Sequence, residues 1–298
     1  MQLLIVGANG LLGRSTAAAF RAAGVPVLCA SHQAGSEVRI NFEEPLGDWA
    51  ARLPEGITHA LVCSSLTNID ACARNPQLSR RFNVTRTTEC LEGLLDENIE
   101  PIFCSSDLVF AGDRGDYREE DPREPTTEYG RQKKAVEDVL LGERRPWLIL
   151  RLSKLYSLEP DDPSPVGQTL TAFSQERHVR AADDQVVCPT WAGDIPRTLH
   201  ALLTRQAAGV FHVTAPEPFT RYALALRLAH AVGKPHLVER CSIRDFTFSE
   251  PRPVNNSLNV ERTLTTTGMR FMTLEEALPQ ILGRRKPATV ASSLGVGS

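Results

Sequence analysis

The sequence predicts a doubly wound α/β protein: a parallel sheet with helices on both faces, joined to a smaller mixed α/β lobe. Through residue 152, short β-rich runs alternate with longer stretches of good helix formers, the pattern of crossover connections between parallel strands. Those runs are apolar throughout instead of alternating with polar residues, as strands buried on both faces should be. The length, 298 residues, suits one large or two small domains at a prior of about 150 residues per domain.

In order, the predicted strands are Leu3–Val6 and residues 26–30, 59–63, 101–104 and 147–152. A helix opens at Leu11 and continues through 17–23, and further helices are predicted over 68–97 and 129–141. After residue 151 the character changes. Prolines such as Pro160, Pro163, Pro165, Pro251 and Pro253 punctuate loops, and helices are predicted over 166–175, 194–206, 221–232 and 274–282. The expected organisation is a dinucleotide-binding domain over 1–150 and a mainly substrate-binding lobe over 151–282, with segments returning to the sheet. Residues 283–298, small, polar and aperiodic, read as a disordered tail.

Composition excludes several functions. The net charge of -3 gives no global pull towards nucleic acid or anionic lipid. No run approaches the roughly 18 apolar residues of a membrane helix. The N-terminus enters a strand at once, without a basic leader or cleavage site, so a cytoplasmic protein is expected. The seven cysteines include no Cys-x-x-Cys pair. They read as reduced thiols, with no metal site and no disulfide framework.

The first strand leads into Gly7-Ala8-Asn9-Gly10-Leu11-Leu12-Gly13 and then a helix. Glycines there let backbone N–H groups approach a pyrophosphate, and the helix N-terminus adds partial positive charge. This is the strand–turn–helix context of a Rossmann-type dinucleotide site, although the spacing is G-x-x-G-x-x-G. The second strand ends Cys29-Ala30-Ser31-His32-Gln33, with no carboxylate to receive a ribose 2′-OH. Ser31, His32 and Arg39 would suit a 2′-phosphate, which favours NADPH slightly over NADH and leaves both open.

Ser105-Ser106-Asp107 follows a predicted strand, and Tyr129-Gly130-Arg131-Gln132-Lys133 opens a helix. Tyr129 and Lys133, four apart, share a helical face. An ammonium beside a phenol favours the phenolate and is expected to lower the tyrosine pKa from about 10. Tyr129 then reads as a general acid for a carbonyl oxygen, Ser106 as a second donor to that oxygen, and Lys133 as a grip on the nicotinamide ribose.

With these motifs in order, the chain resembles the extended short-chain dehydrogenase/reductases, and within them the dTDP-4-dehydrorhamnose reductase group, over residues 1–282. The resemblance rests on the Gly7 to Gly13 turn, the S-[ST]-D-x-V-F stretch from Ser105 to Phe110, and Y-G-x-x-K from Tyr129 to Lys133. It implies reduction of a keto group on a nucleotide-activated deoxysugar. It also assigns Cys63, Ser64 and Ser65 to the nicotinamide side, Asn41 and Phe42 to the adenine side, and Asn83 to a helix position typical of the group. Thr67, Asp107, Lys154, Arg252 and Asn256 fall to the substrate, with Asp184-Gln185 and Pro189-Thr190 nearby. Three departures stand out. Lys154 replaces a tryptophan that lies against the sugar, Asn256 replaces a late serine, and Cys63-Ser64-Ser65 replaces an alanine-rich strand end. Lys154 suits a phosphate or carboxylate on a substrate other than the rhamnose precursor. Leu108 stands where related dehydratases carry a glutamate, so dehydration lacks its base. Two alternatives stay open: a C4 epimerase, and a non-catalytic regulatory subunit resembling that of methionine adenosyltransferase. A homodimer is also open.

Overall fold

Successive residues of a strand face opposite sides of its sheet, so a run apolar at every position needs cover on both. A computed structural model describes residues 1–33 and 35–285. Seven strands pair in parallel: β1 (Leu3–Val6), β2 (Val27–Ser31), β3 (Val38–Arg39), β4 (His59–Val62), β5 (Glu100–Ser106), β6 (Leu148–Leu152) and β7 (Gly209–Val213). Their order is β7-β6-β5-β4-β1-β2-β3. Leu3, Ile5, Leu61, Ile102 and Leu150 pack on one face with helices Leu11–Ala22 and Asp194–Thr204. Leu4, Val6, Val62, Phe103 and Ile149 pack on the other with helices Thr87–Asp96 and Glu128–Leu141. Strand order reverses between β1 and β4, so the carboxyl ends of those strands flank the crevice where sheets of this kind bind ligands.

The smaller lobe has its own core. Tyr156, Leu170, Phe173, Leu228, Leu278 and Ile281 join helices Pro165–Ser174, Arg221–Ala231 and Leu274–Arg284. The lobes are interleaved in sequence. Residue 150 falls inside β6, and β7, from the second half, completes the sheet edge beside it. Among the described residues no helix is long and apolar enough to cross a membrane. All seven cysteines are unpaired, and Cys29, Cys63 and Cys241 are partly exposed.

Two expectations are corrected. The stretch 68–97 is not one helix but Ile69–Arg74, Pro76–Arg80, a π-helical turn Arg81–Arg86, and Thr87–Asp96. Pro76 cannot continue a helix but can start one, and the Asn75 side chain caps it by accepting from the Leu78 N–H at 3.2 Å. The tail does not begin at residue 283. Gly283 and Arg284 are helical, Arg284 meets Glu159 at 2.6 Å, and Arg285 donates to the Gly167 carbonyl at 3.0 Å. The remainder of the expected tail, residues 286–298, lies outside the described residues.

Candidate active site

The three glycines of the first turn have different causes. Gly7 sits at φ +95°, and a Cβ there would come within 2.7 Å of the Ser64 nitrogen. At Gly13 a Cβ would run into the Gly7 carbonyl and the Ala8 backbone. Both are required by the chain itself. Gly10 has an ordinary φ of -72°, and a Cβ would meet only the Gly7 oxygen, at 3.5 Å. Nothing in the fold demands glycine at 10. Its bare backbone lines the cleft with Leu11, Leu12 and Gly13 at the helix N-terminus, a cradle that fits a pyrophosphate.

The turn is tied to β2, since Asn9 donates to the Ser31 hydroxyl at 3.0 Å. Ser31 is buried and also accepts from the Gln33 N–H at 3.2 Å, so its hydroxyl is engaged internally, whereas His32 and Arg39 are exposed. The Asn41 oxygen accepts from the Glu43 N–H at 3.1 Å and shapes its own turn. The Phe42 ring, assigned to the adenine side, is 3% exposed and packs in the core against Phe82, 5.2 Å between centroids.

Ser106 ends β5 and caps the short turn Asp107–Val109, accepting from the Leu108 N–H at 3.2 Å and donating to the Asp107 carboxylate at 2.8 Å. Helix Glu128–Leu141 starts at a Thr127 cap, whose hydroxyl accepts from the Gly130 N–H at 3.1 Å. Gly130 lies so close to the Leu108 carbonyl that no Cβ fits. That contact packs the first turn of the helix onto the end of β5. Ser106, Tyr129 and Lys133 therefore line the same cleft as Gly10, Cys63, Ser65 and Thr67, about 440 Å³ in volume.

Burial raises the Tyr129 pKa, and the Asp107 carboxylate adds to the rise, while the Ser65 hydroxyl offsets part of it. The lowering expected from Lys133 is not found; desolvation of the phenolate is the largest effect. The Lys133 ammonium lies 5.6 Å from the Tyr129 ring centroid and 4.7 Å from that of Phe103, and donates to the Cys104 carbonyl at 2.8 Å. Desolvation lowers its own pKa to about 8. These shifts keep the phenol protonated and the ammonium charged at neutral pH.

Asn83, in the π-helical turn, fixes the loop that follows β4. Its oxygen accepts from the Leu66 N–H at 2.8 Å and the Ser65 hydroxyl at 3.1 Å, and its nitrogen donates to the Leu66 carbonyl at 2.9 Å and to Gln132 at 2.8 Å. Such turns recur at functional sites. Between helix Glu128–Leu141 and the sheet, Glu137 and Arg151 form a fully buried two-armed pair at 3.0 and 2.8 Å, and Ser105 donates to Glu137 at 2.5 Å.

The cleft meets a second cavity of about 270 Å³, and Ile69, Asp107, Leu108 and Lys154 line both. Arg252 lines it, pairs with Asp70 at 2.6 Å and lies 4.6 Å over the Phe248 ring. Asn256 donates to the Asp107 carbonyl at 3.1 Å. Sequence reasoning missed Arg221, Phe246 and Phe248, which also line this cavity. No local pattern marks them, since only the fold of the second lobe brings them to the mouth.

The sheet topology, the glycine turn and the Ser106–Tyr129–Lys133 cleft together define the short-chain dehydrogenase/reductase class. The chain belongs to the RmlD family, whose RmlD substrate binding domain model matches residues 1–286. It is 28% identical over 297 residues to a probable low-salt glycan biosynthesis reductase, Agl14, of Haloferax volcanii, covering 93% of this chain and 96% of that one. It is 25% identical to the methionine adenosyltransferase 2 subunit beta of Xenopus tropicalis, covering 87% of this chain and 80% of that one. Its fold matches the crystal structure of a Bacillus anthracis dTDP-4-dehydrorhamnose reductase in complex with NADP, with a TM-score of 0.81 at 21% identity, covering 95% and 99% of the two chains.

Proposed function

We propose that this protein is an NAD(P)H-dependent reductase of a keto group on a nucleotide-activated deoxysugar, working in the cytoplasm. The observation that carries the reading is one cleft where a glycine cradle, Ser106, Tyr129 and Lys133 converge, opening into a cavity lined by Lys154, Arg221 and Arg252. Gly7, Asn9, Gly10, Leu11, Leu12 and Gly13 would hold a dinucleotide's phosphates, and Cys63, Ser64, Ser65 and Lys133 its nicotinamide riboside. Asn41 would lie on the adenine side. Exposed His32 and Arg39 beside Ser31 favour a 2′-phosphate, hence NADPH. The bound dinucleotide supplies the hydride.

Tyr129 gives its phenolic proton to the carbonyl oxygen as negative charge develops there. Ser106 turns its hydroxyl hydrogen from Asp107 to the same oxygen, so that two donors stabilise the alkoxide. The Lys133 ammonium then steadies the phenolate left behind. Thr67, Asp107, Lys154, Arg252 and Asn256 contact the sugar nucleotide.

The test is oxidation of NADPH and NADH in the presence of a dTDP-4-keto-6-deoxy sugar. Tyr129→Phe is expected to lower kcat by about 100-fold or more while cofactor Kd moves less than about twofold. Unchanged turnover in that variant would refute the mechanism. Tight cofactor binding without oxidation would favour a different keto-sugar, the epimerase or the non-catalytic subunit.

A further inference from the structure

Among the described residues, Lys154 is the one cation shared by the cleft and the cavity. Arg221 and Arg252 line only the cavity, and Lys133 only the cleft, where it is already bonded to the Cys104 carbonyl. Lys154 therefore stands at the reacting end of the substrate, beside Ser106 and Tyr129, while the two arginines stand farther out. Its ammonium has no hydrogen-bond partner among the described residues, although its residue is half-buried.

Its counter-charge, Asp107, is already engaged by other donors. Asp107 is the nearby carboxylate, and its two oxygens receive the hydroxyls of Ser106 at 2.8 Å and Ser153 at 3.0 Å. Burial holds the Asp107 pKa above its ordinary value, and Lys154 offsets part of the rise. Desolvation disfavours the charged lysine, Asp107 favours it, and Arg221 and Arg252 disfavour it. Arg252 has Asp70 as its partner, and Arg221 bonds the neutral Gln185 oxygen at 2.6 Å. A partly desolvated ammonium facing a ligand space, and bonded to no carboxylate, is suited to an anionic oxygen. A neutral sugar would offer none at that depth if its diphosphate lies beside Arg221 and Arg252, which line the cavity but not the cleft.

We propose that Lys154 receives a carboxylate carried by the sugar itself, so that the substrate class is an acidic nucleotide sugar. The proposal rests on the reductase reading and replaces the 6-methyl end of the sugar with a carboxylate.

Calorimetric titration of the NADP-loaded protein tests it with three probes, each in the UDP and the dTDP series: the nucleoside diphosphate alone, its glucose conjugate and its glucuronate conjugate. The wild type is expected to bind a glucuronate conjugate at least about tenfold tighter than the matching glucose conjugate, the discrimination one charge-assisted contact provides. Lys154→Met should abolish that ratio and leave the affinity for the diphosphate alone unchanged. Lys154→Arg should retain part of the ratio. Equal affinity of the wild type for glucose and glucuronate conjugates would overturn the proposal. So would a Lys154→Met variant that loses affinity for the diphosphate by the same factor, since the lysine would then hold the phosphates. Failure of all six probes to bind protein that still takes up NADPH would overturn the nucleotide-sugar reading and this proposal with it.

Discussion

Replacing Lys133 by methionine separates stability from function with a sign that depends on pH. Lys133 is 3% exposed, and its pKa falls from 10.5 to about 8. In the unfolded chain the lysine keeps its ordinary value. The gap of about 2.5 units, at about 1.4 kcal/mol each, means that burying the charged form costs about 3 kcal/mol of native stability at neutral pH. The cost is fully present below pH 8. As pH rises from 8 towards 10.5 the folded protein releases the proton while the unfolded chain still holds it, so wild-type stability rises with pH over that window. Methionine carries no charge, but it leaves the Cys104 carbonyl without its donor, a loss of about 1–3 kcal/mol. At pH 7 Lys133→Met should therefore be between equally stable and about 2 kcal/mol more stable than wild type. At pH 9.5 the wild type should have gained about 2 kcal/mol relative to the variant. Urea unfolding at both pH values, without cofactor, measures this. A wild-type-to-variant difference that stays constant from pH 7 to 9.5, or moves the other way, would refute the reasoning.

Gly10→Val should fold with a melting temperature near wild type, because a Cβ there meets only ordinary contact, yet lose NADPH binding in a fluorescence titration. Gly13→Val should instead lower the melting temperature, since its Cβ collides with the chain's own backbone. Glu137→Ala should destabilise by about 3–5 kcal/mol, because it strands the buried Arg151 guanidinium, and denaturant titration would show it. Thr127→Ala should cost about 1 kcal/mol of stability through loss of the helix cap and raise KM as Tyr129 loses its seating.

The sheet was legible because parallel strands buried on both faces leave uniformly apolar runs, as at Leu3–Val6 and β6. The glycine turn and the Ser106, Tyr129 and Lys133 set were legible because their spacing is local. The break at Asn75-Pro76 was readable from the proline alone, but the π-helical turn that aims Asn83 at Leu66 leaves no sequence period of its own. Phe42 could not be told from a ligand-facing ring without knowing that Phe82 covers it. The Tyr129 shift was misjudged because spacing reveals the neighbouring charge and not the depth of burial, and here burial prevails. Arg221, Phe246 and Phe248 reach the cavity only through the second lobe, over distances that no local pattern encodes.

The late return of β7 to the sheet bears on how the chain is made. On the ribosome, β6 waits with an unpaired edge until residues 209–213 emerge, some sixty residues after it. At about 5–20 residues per second, that leaves several seconds in which a flat apolar strand edge is open to pairing with another chain. A fragment ending at residue 150 would keep that hazard permanently and would also divide β6. Such a fragment is therefore not expected to fold as a separate module, and nascent chains stalled before residue 209 are the ones that should call on chaperones.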